Sequence, residues 1–112
     1  VEVEGALFQN PLVENCAVAP VDDDIRGDEV MACIKLRDPG ESGEGIAIQI
    51  FTACSELLSY YKLPGYIAFV DDLPTTATQK VRRGEMKKLC KSLIGSSVCF
   101  DLRLRKRYRP TT

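Results

Sequence analysis

Histidine is absent from the 112 residues. That excludes Ser/His and Cys/His nucleophile pairs and Cys/His zinc sites. Any chemistry must use Lys, Arg, carboxylates, hydroxyls or the backbone. Cysteine is present but unpatterned. Cys16, Cys33, Cys54, Cys90 and Cys99 are odd in number, and no two have C-x-x-C spacing. Each lies in an apolar stretch, which predicts buried thiols in a reducing, cytoplasmic compartment rather than a disulfide framework. No apolar run approaches the roughly 18 residues of a membrane helix, so no transmembrane segment is expected. Nor does one sign of charge dominate. The net charge is −1, so no global basic field points to nucleic acid. The acidic body and the lack of an ordered aromatic platform weigh against RNA as well.

What is present is one domain's worth of globular sequence, 45% apolar and 28% charged, without repeats or a linker. The start, "VEVEGALFQNP", lacks an initiator Met and a signal-peptide pattern, which predicts a piece cut from something larger. Val3, Ala6 and Leu7 share a helical face, and Pro11 stops that pattern. "VENCAVA", 13–19, reads as a strand ending at Pro20, followed by an acidic loop, Asp22 to Asp24. "EVMACIKLR", 29–37, alternates. Val30, Ala32, Ile34 and Leu36 face one way, and Met31, Cys33, Lys35 and Arg37 the other, which predicts a strand with one face buried and the other partly covered. "DPGESGEG", 38–45, is turn chemistry.

Residues 46–61 place Ile46, Ile50, Ala53, Cys54, Leu57 and Tyr61 on one stripe, an amphipathic helix of about four turns. Tyr61 would close that stripe, and Lys62 would sit at the helix C-terminus. "YIAFV", 66–70, reads as a third strand. Met86, Leu89, Cys90, Leu93 and Ile94 mark a helix from Arg82 that Gly95 stops. "VCFDLRLRKRYRPTT" offers an edge strand before a basic tail, 103–109, with five cations. The tail reads by default as solvated, or else as a surface for an anionic partner. The class is α+β: a small three-stranded sheet with helices packed on it.

One stretch stands apart. "LPTTATQK", 73–80, sets three hydroxyls, Thr75, Thr76 and Thr78, beside the amine of Lys80, just before a helix whose first turn holds Arg82 and Arg83. Hydroxyls, free N–H groups and cations would suit a phosphate or carboxylate. The same residues also fit a plain helix cap with solvated cations. With no Gly-rich cradle, this is not a P-loop.

Several ordered segments narrow the choice. They are E-V-E-x-A-L with a proline four residues on, D-x-x-R-G-(D/E)-x-V, Y-K-x-P, and L-P-x-T-x-T-x-K before a helix. Over roughly residues 1–91 the chain resembles the C-terminal domain of the adenylate-forming (AMP-binding) enzymes, the acyl-CoA synthetase branch above all. The resemblance implies a mobile lid, 1–95, followed by an extension, 96–112, and a large N-terminal domain as its partner. It implies that Lys80 is the adenylation lysine, with Thr75, Thr76, Thr78 and Gln79 in its substrate and ATP loop. It implies that Arg26 lies on the face that meets the CoA nucleotide; the residues alone read equally as a surface arginine balancing Asp22 to Asp24. Gly27 permits the tight turn beside it. A carboxylic acid, ATP with its Mg2+, and CoA would be co-substrates, held mainly by the large domain, with no permanently bound cofactor and no metal site here. The hinge and a Gly-rich loop would precede Val1, and the chain alone would be inactive. One departure is Gln79, where the family usually has Gly; Gln does not reach positive φ cheaply, which predicts a stiffer or differently shaped loop. The competing classes are a stand-alone α/β module for an anionic partner and a structural domain in which the threonines only cap a helix.

Overall fold

The computed structural model describes residues 2–23, 27–59, 62–73 and 83–103. In chain order they form α1 (Glu2–Phe8), β1 (Val13–Asp23), β2 (Gly27–Leu36), a 3-10 turn (Pro39–Glu41), α2 (Glu44–Ser55), β3 (Tyr66–Phe69), α3 (Arg83–Leu93) and β4 (Cys99–Asp101). The strands lie in the order β1-β2-β3-β4. β1 and β2 are an antiparallel hairpin, β2 and β3 are parallel, and β3 and β4 are antiparallel.

The sheet thus has four strands, not the three that the apolar pattern predicts. The fourth comes from the C-terminal stretch and is only three residues long, too short to show a pattern of its own. The Leu102 N–H closes it onto the carbonyl of Gly65 at 2.7 Å. β1 also runs past Pro20 to Asp23. It is an edge strand, and an edge tolerates the missing proline donor.

β2 is covered on both faces. Ala32, Ile34 and Leu36 pack with Ala6 and Leu7 of α1 and Ala47, Ile50, Phe51 and Cys54 of α2. Met31 and Cys33 pack with Ala17, Ala19 and Val21 of β1 and with Met86 and Cys90 of α3. The second face is therefore as dry as the first at Met31 and Cys33, and only Lys35 reaches solvent there. Each buried aliphatic side chain contributes about 1.5–3 kcal/mol.

α2 is shorter than its stripe suggests. It stops at Ser55, whose Oγ donates to the Thr52 carbonyl at 2.6 Å. Leu58 then turns into the core and Leu57 is left 52% exposed. Lys62 lies beyond that stop, at the end of a 3-10 turn, with its N–H donating to the Ser59 carbonyl at 2.9 Å; Tyr61 lies outside the described residues. The last helix keeps Met86 and Cys90 buried but leaves Ile94, past its end, 39% exposed. Gly95 there takes φ +86, as a helix stop requires.

All five thiols are free, four of them buried and Cys99 half-buried. The Cys33 and Cys90 sulfurs lie 3.7 Å apart between β2 and α3. The hydrogen bond to Cys90 and then burial push the Cys33 thiol up.

Candidate functional site

Two fixed points flank the threonine–lysine stretch in the chain. Leu73, 4% exposed, packs in the core beneath α3, and its N–H is held by Asp72 Oδ1 at 2.9 Å. On the far side α3 is seated by Met86 and Cys90. Thr75, Thr76, Thr78, Gln79 and Lys80 lie between these points and outside the described residues.

Beside the root of this loop is a groove of about 480 Å3, lined in part by Lys35, Asp71, Asp72, Leu89, Leu93 and Val98. The Lys35 amine is paired. Its Nζ lies 3.0 Å from Glu14 Oε2, and that hydrogen bond raises its pKa. Glu14 reaches it from the place where the β1–β2 register shifts, between Val13 and Asn15. A bulge re-aims the side chains around it in this way.

The other end of the sheet holds the hairpin turn. Arg26 is outside the described residues, while Gly27 opens β2 with φ +83, a conformation that strains any other side chain. The segment 62–65 lies at the same end, because the Gly65 N–H donates to the Val30 carbonyl at 2.8 Å. Glu29 fills the space between them. It is 3% exposed, and its Oε1 accepts from the Val30 N–H at 2.9 Å. The pattern reading did not single out Glu29, although its alternation with Met31 and Cys33 marks it for the buried face. Arg103 closes this end. Its guanidinium forks onto Asp101 at 2.7 and 2.9 Å and lies 5.0 Å from the centroid of the Tyr66 ring.

Gly65, the residue after Y-K-x-P, thus joins that motif to Val30 of the D-x-x-R-G-(D/E)-x-V segment, and the first motif, E-V-E-x-A-L, has a structural task. Glu4 Oε2 accepts from the Val18 N–H at 3.1 Å, and the Cys16 thiol donates to the Glu4 carbonyl at 3.9 Å. Among the described residues no group of three or more His, Cys, Asp or Glu is placed to hold a metal ion, and no helix is long and apolar enough to cross a membrane.

Residues 2–80 match the AMP-binding enzyme C-terminal domain. This chain belongs to that family. As a member of the AMP-binding enzyme C-terminal domain family it is 41% identical over 87 residues to the 4-hydroxybutyrate–CoA ligase 1 of Metallosphaera sedula, a match that covers 78% of this chain and 15% of that protein. The solved acyl-CoA synthetase of Brucella canis superposes with a TM-score of 0.73 at 33% identity, over 81% of this chain and 17% of that one. The anthranilate CoA ligase AuaEII, solved with anthranoyl-AMP, gives 0.72 at 36% identity, over 80% and 18%. The α+β fold with its small sheet is that of these adenylate-forming domains, and the chain spans about a sixth of such relatives.

Proposed function

We propose that this chain is the mobile C-terminal lid of an ATP-dependent carboxylic acid–CoA ligase, working in the cytoplasm on a large N-terminal domain. The observation that carries the reading is the family match, which ends on Lys80; the flanks of that stretch, Leu73 and α3, pack in one core. In this reading residues 1–95 make up the lid and 96–112 an extension that includes β4.

In the first half-reaction a carboxylate oxygen bonds to the α-phosphorus of ATP, and the bond from that phosphorus to the leaving pyrophosphate breaks. Two anions must meet. The Lys80 ammonium lies against both, offsetting their repulsion and the charge that develops in the transition state. A compact charge on a long stem suits delivery by a moving domain. Thr75, Thr76 and Thr78 supply hydroxyls that orient the phosphate or cap the loop. Mg2+ enters with ATP and is held by the large domain.

In the second half-reaction the CoA sulfur bonds to the acyl carbon, AMP leaves, and the thiol proton passes to solvent. The lid turns its hairpin end to the site, where Arg26 meets CoA phosphate and Gly27 sets the turn. Pyrophosphate release by the full-length enzyme across a panel of carboxylic acids, with and without CoA, tests this. Release that depends on one class of acid, with thioester formed only when CoA is added, is the expected result. Absence of acid-dependent pyrophosphate would overturn it.

A further inference from the structure

Three of the five thiols share one face of the sheet. Cys33 of β2 pairs in register with Ala68 of β3, and Ala68 with Cys99 of β4, so the two cysteines stand in one row across three strands. Cys90 of α3 lies over that row, its sulfur 3.7 Å from that of Cys33. Cys33 and Cys90 are fully buried in this cluster, while Cys99 packs against it half-buried and opens it toward solvent. Cys16 and Cys54 sit in the core on the opposite face.

Geometry selects the pair that can bond. Neighbouring strands are about 4.8 Å apart, so Cys33 and Cys99, two strands apart, stand about 10 Å from each other, beyond the roughly 7 Å between Cα atoms that a disulfide spans. The Cys33 and Cys90 sulfurs already touch. The hydrogen bond with Cys33 lowers the Cys90 pKa, against the upward push of burial, whereas burial pushes Cys16 and Cys54 up. The thiolate is the reactive form, so oxidation is directed to Cys90.

We propose that Cys33 and Cys90 are a redox-modification site: a hydroperoxide converts them to a disulfide that ties α3 to β2 and slows adenylate formation. The Cys90 sulfur takes one peroxide oxygen as the O–O bond breaks, giving a sulfenic acid and, from hydrogen peroxide, water. The Cys33 sulfur then bonds to the Cys90 sulfur, and the S–OH oxygen leaves as a second water with the Cys33 proton. Two thiols lose two electrons and one peroxide gains them. A disulfide is about 2.05 Å long, so the sulfurs close by about 1.6 Å from their 3.7 Å separation. α3 begins three residues after Lys80, and a misplacement of about 1 Å can cost about a hundredfold in rate. The slowing rests on the ligase reading above; the disulfide does not.

The test treats the reduced full-length enzyme with hydrogen peroxide, alkylates the remaining thiols and maps peptides by mass. A linked pair of peptides holding Cys33 and Cys90 should appear, and dithiothreitol should remove it. Acid-dependent pyrophosphate exchange should fall at least about tenfold on oxidation and return on reduction. Cys90→Ala, which removes the attacked sulfur, should keep its exchange rate through the same treatment, and Cys99→Ala should still cross-link. The wild-type peptide map needs no variant and decides the linkage even if Cys90→Ala fails to fold. No Cys33–Cys90 linkage, a linkage through Cys99 in its place, a linkage that leaves exchange unchanged, or equal loss in wild type and Cys90→Ala would overturn the proposal. Failure of the ligase reading would show differently: the reduced wild-type enzyme would give no acid-dependent exchange, while the linkage would still form.

Discussion

The carboxylate of Glu29 lies directly against the backbone of Gly65. A Cβ at position 65 would come within 2.6 Å of Glu29 Cγ and 2.8 Å of Oε2. The strand end cannot retreat, because the Gly65 N–H is bonded to Val30 and its carbonyl to Leu102. Glu29 is itself buried and tied to the Val30 N–H. Gly65→Ala should therefore cost about 1–3 kcal/mol, as overpacking does. Urea unfolding of Gly65→Ala should show the loss, and in a Glu29→Ala background more than half of it should vanish. An equal cost in both backgrounds would mean that the strain lies elsewhere.

Glu4 shields the open edge of the sheet. Its carboxylate takes the Val18 N–H, a donor on the edge strand β1. Exposed edges invite pairing with other chains. Glu4→Ala should lower stability by about 1 kcal/mol, whereas Glu4→Gln, which keeps an acceptor, should lose less. Denaturant midpoints of the two variants decide the matter; equal losses would deny the hydrogen bond its role.

Most of the framework was legible because apolar periodicity reports burial. Val30 to Leu36 alternated, and both of their faces turned out to be packed. The cysteines read as buried thiols because each sat among apolar neighbours. Periodicity does not report hydrogen bonding, and the departures share that cause. β1 crosses Pro20 because an edge strand needs no donor there. α2 stops at Ser55 although the apolar stripe runs on, since turns after it redirect Leu57 and Leu58. β4 falls where the C-terminal stretch offers an edge strand, and it is held there by pairing with β3 and by Leu102. For the site, the family motifs gave positions for Lys80 and Arg26, which lie outside the described residues. The contact between Cys33 and Cys90 was not legible, because the two lie 57 positions apart in sequence.

Thiols with raised pKa tie stability to alkaline pH, Cys16 and Cys54 among them. Burial, and behind it the Glu4 carboxylate, pushes Cys16 up to about 12; burial pushes Cys54 up to about 11. A thiol with a raised native pKa holds its proton more tightly when folded. Its contribution is complete below the unfolded value, near 9, and is lost as pH climbs through the native values. The urea midpoint should fall steadily from pH 9 to pH 11, and the Cys16→Ala/Cys54→Ala double variant should show a flatter fall. An unchanged slope in the double variant would place the titration elsewhere.

The account depends most on Lys80, and measuring its two half-reactions separately tests it most directly. In the full-length ligase, Lys80→Ala should slow adenylate formation by about 10²–10³-fold, the cost of removing one preorganised electrostatic stabiliser. Thioester formation from supplied acyl-adenylate should fall far less. Equal loss in both steps, or none in the first, would contradict the role given to this amine.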